Sequence, residues 1–325
     1  MPRAEDVAHD EWGGRMVNSR FVLRRVAVAG GTTLAVVTAA FALVAFTPDP
    51  PESLFATGGP PLPGSPRDSS TPLVVRYVTW LADLVTLQWG TFGGRPTTAV
   101  VADRVLRTGL YVVPGALVAY LGGVVSGFHS AQTTPLRDRL ERGVVYLAFG
   151  LPTAVLAILL INHGLQGPGL LENPFYDGER AALSAYNLAR SVGPAALVAL
   201  GLLAVQARHA RSEWQTYDTT TLVRLVRAKG GGPITVARHV LRNAAAPLVS
   251  VLVSETLGLL LLIVMVTERI FRIDGFGSLL FTAASERSPA LVISVTVVTV
   301  VLGVGGTLLH DLLQATLDPR VGEES

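Results

Sequence analysis

The sequence contains no cysteine and one lysine, and charged residues occupy 15% of its 325 positions. Without cysteine, the chain can form neither disulfides nor thiolate metal sites. Its six histidines are too far apart for a ligand pair such as H-x3-H, so neither a metal site nor another bound cofactor is indicated. The single lysine, Lys229, is followed by glycine, which excludes a G-x4-G-K-[ST] phosphate loop. We therefore do not expect an enzyme, and any ATP that drives this protein must be hydrolysed by another subunit.

The few charged residues are unevenly placed. Half of all residues are hydrophobic, and mean hydropathy is +0.46. Apolar runs of about 20 residues recur, which is the length that crosses a bilayer core of about 30 Å. The runs lack the alternation of barrel strands, so they predict helices. We predict an all-α polytopic membrane protein with six transmembrane helices at Val26–Phe46, Gly109–Phe128, Gly143–Asn162, Ser191–Gln206, Pro247–Thr267 and Ala290–Leu309.

The basic residues predict the orientation of these helices. Sixteen of the 26 fall in the N-terminal tail, the second and fourth connections and the C-terminal end. The positive-inside rule places those segments in the cytoplasm. The predicted topology is a multi-pass protein of the cell (plasma or inner) membrane with both termini cytoplasmic.

The first connection, predicted to be external, has two parts. Residues 48–72 contain eight prolines, which favour an irregular strap. Residues Leu73–Trp89 form an apolar helix with one narrow polar stripe, and Tyr77, Trp80 and Trp89 fit an aromatic belt at the membrane interface. We divide the chain into a cytoplasmic tail (1–20), a first transmembrane helix (21–47), this strap and interfacial helix (48–106), a core of five transmembrane helices (107–316) with a long loop (207–246), and a cytoplasmic tail (317–325).

The loop 207–246 carries seven basic residues against two acidic ones. A first helix is predicted to begin with Asp218 or Thr219 as its N-cap and to stop at the glycines 230–232. A second short helix begins at Pro233, at about a right angle to the first. The first helix carries Leu222, Val223, Leu225 and Val226 on one side and basic residues at its C-terminal end, and the second has an apolar and a cationic face. The unit could dock in a groove of a cytoplasmic partner or rest on anionic lipid heads. A DNA-binding role is disfavoured because the flanking spans would hold the loop at the bilayer.

Several motifs in the chain follow one another in a characteristic order. The loop contains Val226-Arg-Ala-Lys-Gly230, then Ala237-Arg-His-Val-Leu-Arg-Asn-Ala244 and Pro247. Other stretches flank it: Arg76–Leu81 with Trp89-Gly90, Val101–Arg104, Thr267–Phe271, Asp274–Gly277 with Leu279-Leu280, and Leu317-Asp-Pro-Arg320. Together, over residues 20 to 320, they resemble the permeases of binding-protein-dependent ABC importers, in particular the dipeptide, oligopeptide and nickel branch.

The resemblance implies a type I importer-like bundle that imports peptides or a related small solute. It implies a second homologous permease subunit, identical or different, two cytoplasmic ABC ATPases that use ATP, an extracytoplasmic solute-binding protein and membrane lipid as partners, and no nucleic acid. In that picture the segment 222–246 couples the permease to the ATPases. The candidate coupling residues are Leu222, Leu225, Arg227, Ala228, Lys229, Gly230, Arg238, His239, Arg242 and Asn243.

Four polar residues near the fifth span are further candidates. Glu255 lies in the body of the span, where a carboxylate normally faces a cavity or the bundle interior. It is our candidate for the translocation path, and a hydrogen-bonded glutamate that packs helices together explains it equally well. Glu268, Arg269 and Asp274 are candidates for contact with the solute-binding protein, although an interfacial Glu268–Arg269 ion pair would give the same pattern.

An ion- or proton-coupled carrier that uses Glu255 is the alternative function. It is disfavoured because the two halves of inverted-repeat carriers resemble one another, whereas the second half of this chain does not repeat the first. An intramembrane enzyme is a third interpretation, and the spans contain neither a Ser/His/Asp grouping nor an H-E-x-x-H motif to support it.

Overall fold

The computed structural model describes residues 19–46, 71–132, 150–165, 175–286 and 289–317, together with the single residues 136, 139 and 143. Residues 1–18 of the predicted tail 1–20, most of the strap and residues 318–325, including most of the C-terminal motif, lie outside the described residues. The helices are α1 (Ser19–Phe46), α2 (Leu73–Val85), α3 (Thr97–Ala131), α4 (Thr153–Leu159), α5 (Ala185–Arg190), α6 (Val192–Asp218), α7 (Thr221–Ala228), α8 (Pro233–Phe271), α9 (Phe276–Glu286) and α10 (Pro289–Leu317). A π-helical turn, Leu160–Leu165, follows α4, and strands β1 (Thr91–Phe92) and β2 (Arg95–Pro96) form a hairpin. The predicted all-α class is confirmed.

Five described stretches are helical, long and apolar enough to cross a membrane: Leu23–Leu43, Thr97–Ala131, Ala185–Asp218, Pro233–Gly258 and Ser294–Gln314. They overlap the first, second, fourth, fifth and sixth predicted spans. The fourth is twice as long as predicted, because α6 continues past Gln206 to Asp218 and α5 precedes it with a break at Ser191. The third predicted span falls partly outside the described residues. Its described part, Thr153–His163, is a shorter apolar helix that begins after Pro152, so six spans remain a prediction.

The centre of the bundle is the packing of α3 on α6. Glycines let the two backbones approach closely: a Cβ on Gly123 would lie 2.6 Å from Gln206 Cβ, and one on Gly127 would lie 2.7 Å from Ala210 Cβ. Buried apolar side chains from both helices continue the contact, including Tyr111, Ala119, Leu197 and Leu202. Small residues of this kind are typical of helix pairs in membranes, where close van der Waals packing drives association.

Helices α1 and α2 form a peripheral layer against α10. Trp80 of α2 is buried among Val37 and Phe41 of α1 and Val297 of α10. The Tyr77 hydroxyl lies 2.8 Å from Thr38 Oγ1. Trp80 therefore packs against other helices of the protein, a contact that the sequence does not reveal, and its position at the membrane interface stays a prediction. The predicted helix is confirmed and ends at Val85, four residues before Trp89.

Candidate functional site

The long loop folds into a compact turn between α6 and α8. Helix α6 continues to Asp218, and α7 begins at Thr221 with Thr220 as its N-cap. The first helix therefore starts one or two residues later than predicted, because α6 still occupies Asp218. The Thr220 hydroxyl donates to Tyr217 O at 2.6 Å. Gly230, at φ +79°, ends α7 in a left-handed conformation that favours glycine. Pro233 is the first residue of α8, as predicted.

The second helix of the loop is not short. Helix α8 runs for 39 residues from Pro233 to Phe271, with Pro247 inside it. Proline removes the hydrogen bond to the carbonyl four residues earlier, that of Asn243, and the Tyr217 hydroxyl lies 3.4 Å from that oxygen. Gln206, which is buried in α6, donates to Leu248 O at 3.1 Å. Polar side chains of α6 thus support the backbone around Pro247, and the predicted pair of short helices is corrected to one short helix followed by one long one.

The apolar side of α7 is divided between the protein and the solvent. Val223 is fully buried against Trp214 of α6, Phe128 of α3 and Val240 of α8. In contrast, Leu222 and Leu225 are 40% and 52% exposed, and Ile234 at the start of α8 is 85% exposed. The buried valine fixes α7 to the bundle while the two leucines point outward. These three exposed apolar side chains and the exposed basic residues near them are called the turn surface. It consists of Leu222, Leu225, Ile234, Arg224, Arg227, Lys229, Arg238 and Arg242.

The other predicted coupling residues lie at the same end of the bundle. Ala228, Gly230 and Asn243 are exposed, and His239 is half-buried. Arg227, in the last turn of α7, forms an ion pair with Asp218 at the end of α6. Glu255 is half-buried on α8, about two turns beyond Pro247, and stands apart from the turn surface. Its role in the path stays a prediction.

The opposite end of α8 carries a buried carboxylate, Glu268, which is 1% exposed. Its Oε1 accepts hydrogen bonds from Thr108 Oγ1 at 2.6 Å and from the Tyr111 hydroxyl at 3.1 Å. Its Oε2 accepts one from the backbone N–H of Ser278 at 2.7 Å. Glu268 therefore has no surface to offer a solute-binding protein, and that prediction does not agree with the structure. The carboxylate turns inward because three donors are buried there to receive it.

The backbone that follows Glu268 folds back next to the Glu268 carboxylate. Arg272 adopts a left-handed conformation at φ +56°, and Ile273 N–H donates to Glu268 O at 2.9 Å. A Cβ on Gly275 would collide with the Glu268 carboxylate, so glycine lets the chain enter α9 without displacing that carboxylate from its hydrogen-bond donors. Thr108 Oγ1 also accepts the N–H of Phe276, the first residue of α9, at 2.8 Å. We call Thr108, Tyr111, Glu268 and the N–H groups of Phe276 and Ser278 the Glu268 cluster.

The remaining two candidates from this region lie at the surface. Arg269 is exposed, and its guanidinium carbon lies 4.6 Å from the centre of the Phe281 ring, so the predicted alternative of a Glu268–Arg269 ion pair is wrong. The side chain of Asp274 is 56% exposed and pairs with Arg104 of α3 at 2.8 Å. Both remain accessible to a partner.

The segment 175–184 joins the same end of the bundle. Asn187 is fully buried, and its amide donates to the carbonyl oxygens of Asp177, Arg180 and Ala181. Arg107 of α3 donates to Arg180 O at 3.2 Å. A hydrogen bond from Arg180 lowers the pKa of the Asp177 carboxyl. The sequence did not lead us to predict a role for Asn187. An amide side chain just before the apolar fourth predicted span is the signal that could have identified it as a buried polar residue.

Comparison with known proteins agrees with this architecture. The family model described as "Binding-protein-dependent transport system inner membrane component" matches residues 119–323. A putative peptide permease protein of Brucella ovis is 27% identical, with 93% of this chain and 98% of the relative covered. The dipeptide transport system permease protein of Bacillus subtilis is 27% identical over 77% and 80% of the two chains. The metal-staphylopine import system permease protein of Staphylococcus aureus is 23% identical over 94% and 98%.

Proposed function

The chain belongs to the family of binding-protein-dependent transport system inner membrane components, and we propose that it forms the translocation path of an ATP-driven importer for peptides or a related small solute. The relatives named above are permeases of peptide, dipeptide and metal-staphylopine transport systems, which supports this solute class. We infer that it works with a second homologous permease subunit, two cytoplasmic ABC ATPases and an extracytoplasmic solute-binding protein. ATP is used by the ATPases, and this chain binds no cofactor of its own.

The observation that carries the proposal is the exposure of Leu222, Leu225 and Ile234 on either side of the Gly230 turn. Large apolar side chains exposed together are typical of contact surfaces. Here the buried Val223 holds them on a rigid base, so little conformational entropy is lost when a partner binds. The exposed arginines surround them as a polar rim. Such a surface fits a groove on an ATPase, with α7 as the inserted helix.

The continuous helix α8 supports a way to couple ATP hydrolysis to transport. Its first residue, Pro233, adjoins the turn surface, and its last turn carries Glu268. A displacement of the turn by the ATPases would move α8 as one body through the bundle. Arg269 and Asp274 lie at the far end of α8, where the solute-binding protein would dock.

Charge substitutions in the turn surface test the proposal. Leu222→Glu and Leu225→Glu place a carboxylate where the ATPase groove would be apolar, so we expect the ATPases to be lost when the permease is purified from its own cells. Leu183→Glu is the matched control, because Leu183 is 62% exposed in the segment next to Asn187, away from the turn. Mass spectrometry of the purified complexes identifies the ATPases, the second permease and the binding protein. Full retention of the ATPases by both turn variants would contradict the proposed docking role.

The alternative, a proton-coupled carrier that uses Glu255, makes different predictions. An ATP-driven importer reconstituted with its partners takes up solute in the presence of a protonophore and stops without ATP. A carrier loses uptake with the protonophore and on Glu255→Gln. Uptake by the chain alone, without any ATPase subunit, would reject the importer proposal.

A further inference from the structure

Building on the proposed function, we propose that Glu268 is a positioning residue for transport: it holds α9 against α3 in one conformation of the permease and releases it when α8 moves. Helix α9 is an 11-residue helix between the two last long helices. At about 1.5 Å per residue it is too short to cross a bilayer. It lies at the end of α8 opposite to the turn surface, where it can close or open the path.

The first turn of α9 is held by side chains of other helices. The residue before it, Gly275, has no side chain to cap the helix. Instead, Phe276 N–H donates to Thr108 Oγ1 of α3, and Ser278 N–H donates to Glu268 Oε2 of α8. Two of the N–H groups that a helix start leaves unpaired are therefore satisfied by two different neighbours. The position of α9 therefore depends on α3 and α8 keeping their positions relative to one another.

The cluster tolerates little relative movement. Thr108 Oγ1 and Glu268 Oε1 are 2.6 Å apart, and the Tyr111 hydroxyl is 3.1 Å from the same oxygen. Hydrogen bonds weaken steeply beyond about 3.5 Å, so a shift of about 1 Å between α3 and α8 breaks them. Because these groups are buried, a broken bond leaves a donor or a carboxylate unpaired, which is costly. The arrangement therefore favours two discrete states over gradual loosening.

Helix α8 supplies the movement. It is continuous from Pro233 to Phe271, a length of about 58 Å. The glycine contacts tie α3 to α6 backbone to backbone. A displacement that begins at the turn surface shifts α8 relative to this pair, and the Glu268 cluster is where that shift separates α8 from α3.

Functional variants test the role in the reconstituted importer with all of its partners. Thr108→Val keeps the shape of the side chain but removes the hydroxyl that joins Glu268 to Phe276 N–H, and Glu268→Gln leaves one of the three donors without an acceptor. For both we expect ATP hydrolysis without the solute-binding protein to rise several-fold and the solute imported per ATP to fall several-fold. Thr108→Ser retains the hydroxyl and should behave as the wild type.

Two outcomes of this experiment are decisive. If Thr108→Val and Thr108→Ser show the same dependence on the binding protein, the role of the cluster is wrong. If instead the wild-type importer itself shows no ATP-dependent uptake, it is the proposed function that fails. ATP-dependent uptake by the wild-type importer therefore distinguishes failure of the Glu268 proposal from failure of the proposed function.

A direct measurement of α9 uses the absence of cysteine from this chain. Ala99 on α3 and Ser285 on α9 are both exposed, so Ala99→Cys and Ser285→Cys can carry a spin-label pair in a complex whose partners lack cysteine. We expect a narrow distance distribution without nucleotide, and a shift or broadening when ATP binds or when Glu268→Gln is introduced. Identical distributions in all three samples would overturn the inference.

Discussion

The ion pair of Arg227 and Asp218 illustrates how single residues of the turn serve both the fold and the partner. Both side chains are partly exposed, so the pair itself adds at most about 1 kcal/mol to stability. Its geometric effect is larger, because it ties the end of α7 to the end of α6 and orients the guanidinium at the turn surface. Arg227 is exposed three residues before the Gly230 turn, so its guanidinium is accessible to a partner that binds the turn.

Charge reversal separates the two roles of Arg227. Arg227→Glu removes the cation and repels Asp218, and we expect ATP hydrolysis to continue with several-fold less solute imported per ATP. Arg227→Glu combined with Asp218→Arg restores an ion pair of the opposite sense. Because the proposed contact needs a cation at position 227, the double variant should remain uncoupled. Recovery of wild-type coupling in the double variant would show that the pair, and not the partner contact, matters.

At the scale of helices, the sequence predicts where the apolar spans lie, but it predicts the lengths of the helices and the sides that they bury poorly. The long spans are predictable because bilayer thickness dictates about 20 apolar residues. The sequence places Leu222, Val223, Leu225 and Val226 on one apolar side, but packing against Phe128 and Trp214 buries Val223 and leaves the leucines outside. The partners of Glu268 are similarly hidden, because Thr108 is 160 residues away in the chain. Such long-range contacts have no local signal.

The contact between α3 and α6 allows a matched test of packing. A Cβ at Gly127 would lie 2.7 Å from Ala210 Cβ and close to backbone atoms, whereas one at Gly109, in the same helix, meets nothing within 4 Å. We expect Gly127→Ala to destabilise the detergent-solubilised protein by about 1–3 kcal/mol, the usual cost of overpacking. Gly109→Ala should leave the thermal unfolding midpoint unchanged or raise it, since alanine favours helix. Equal midpoints for the two variants would contradict the close contact.

At the scale of the whole molecule, the two sites lie at the two ends of one helix. The turn surface adjoins Pro233, and the Glu268 cluster occupies the last turn of α8. This arrangement suits a permease that receives force on one side of the membrane and admits solute on the other. It requires the turn to be cytoplasmic and the Glu268 end to be external. The sequence supports that orientation, because seven of the 26 basic residues fall in the loop 207–246.

Labelling of single cysteines tests this orientation, since the chain has none of its own. Lys229 at the turn and Glu179 in the segment beside Asn187 are both exposed. With a membrane-impermeant maleimide applied to intact cells, from which any outer barrier has been removed, we expect Glu179→Cys to be labelled and Lys229→Cys to be protected. In cells that produce the chain without its ATPases, which would cover the turn, permeabilisation should make both reactive, which controls for accessibility. The reverse pattern would place the basic turn outside, where no ATP-hydrolysing partner could reach Leu222 and Leu225, and the coupling proposal would fall with it.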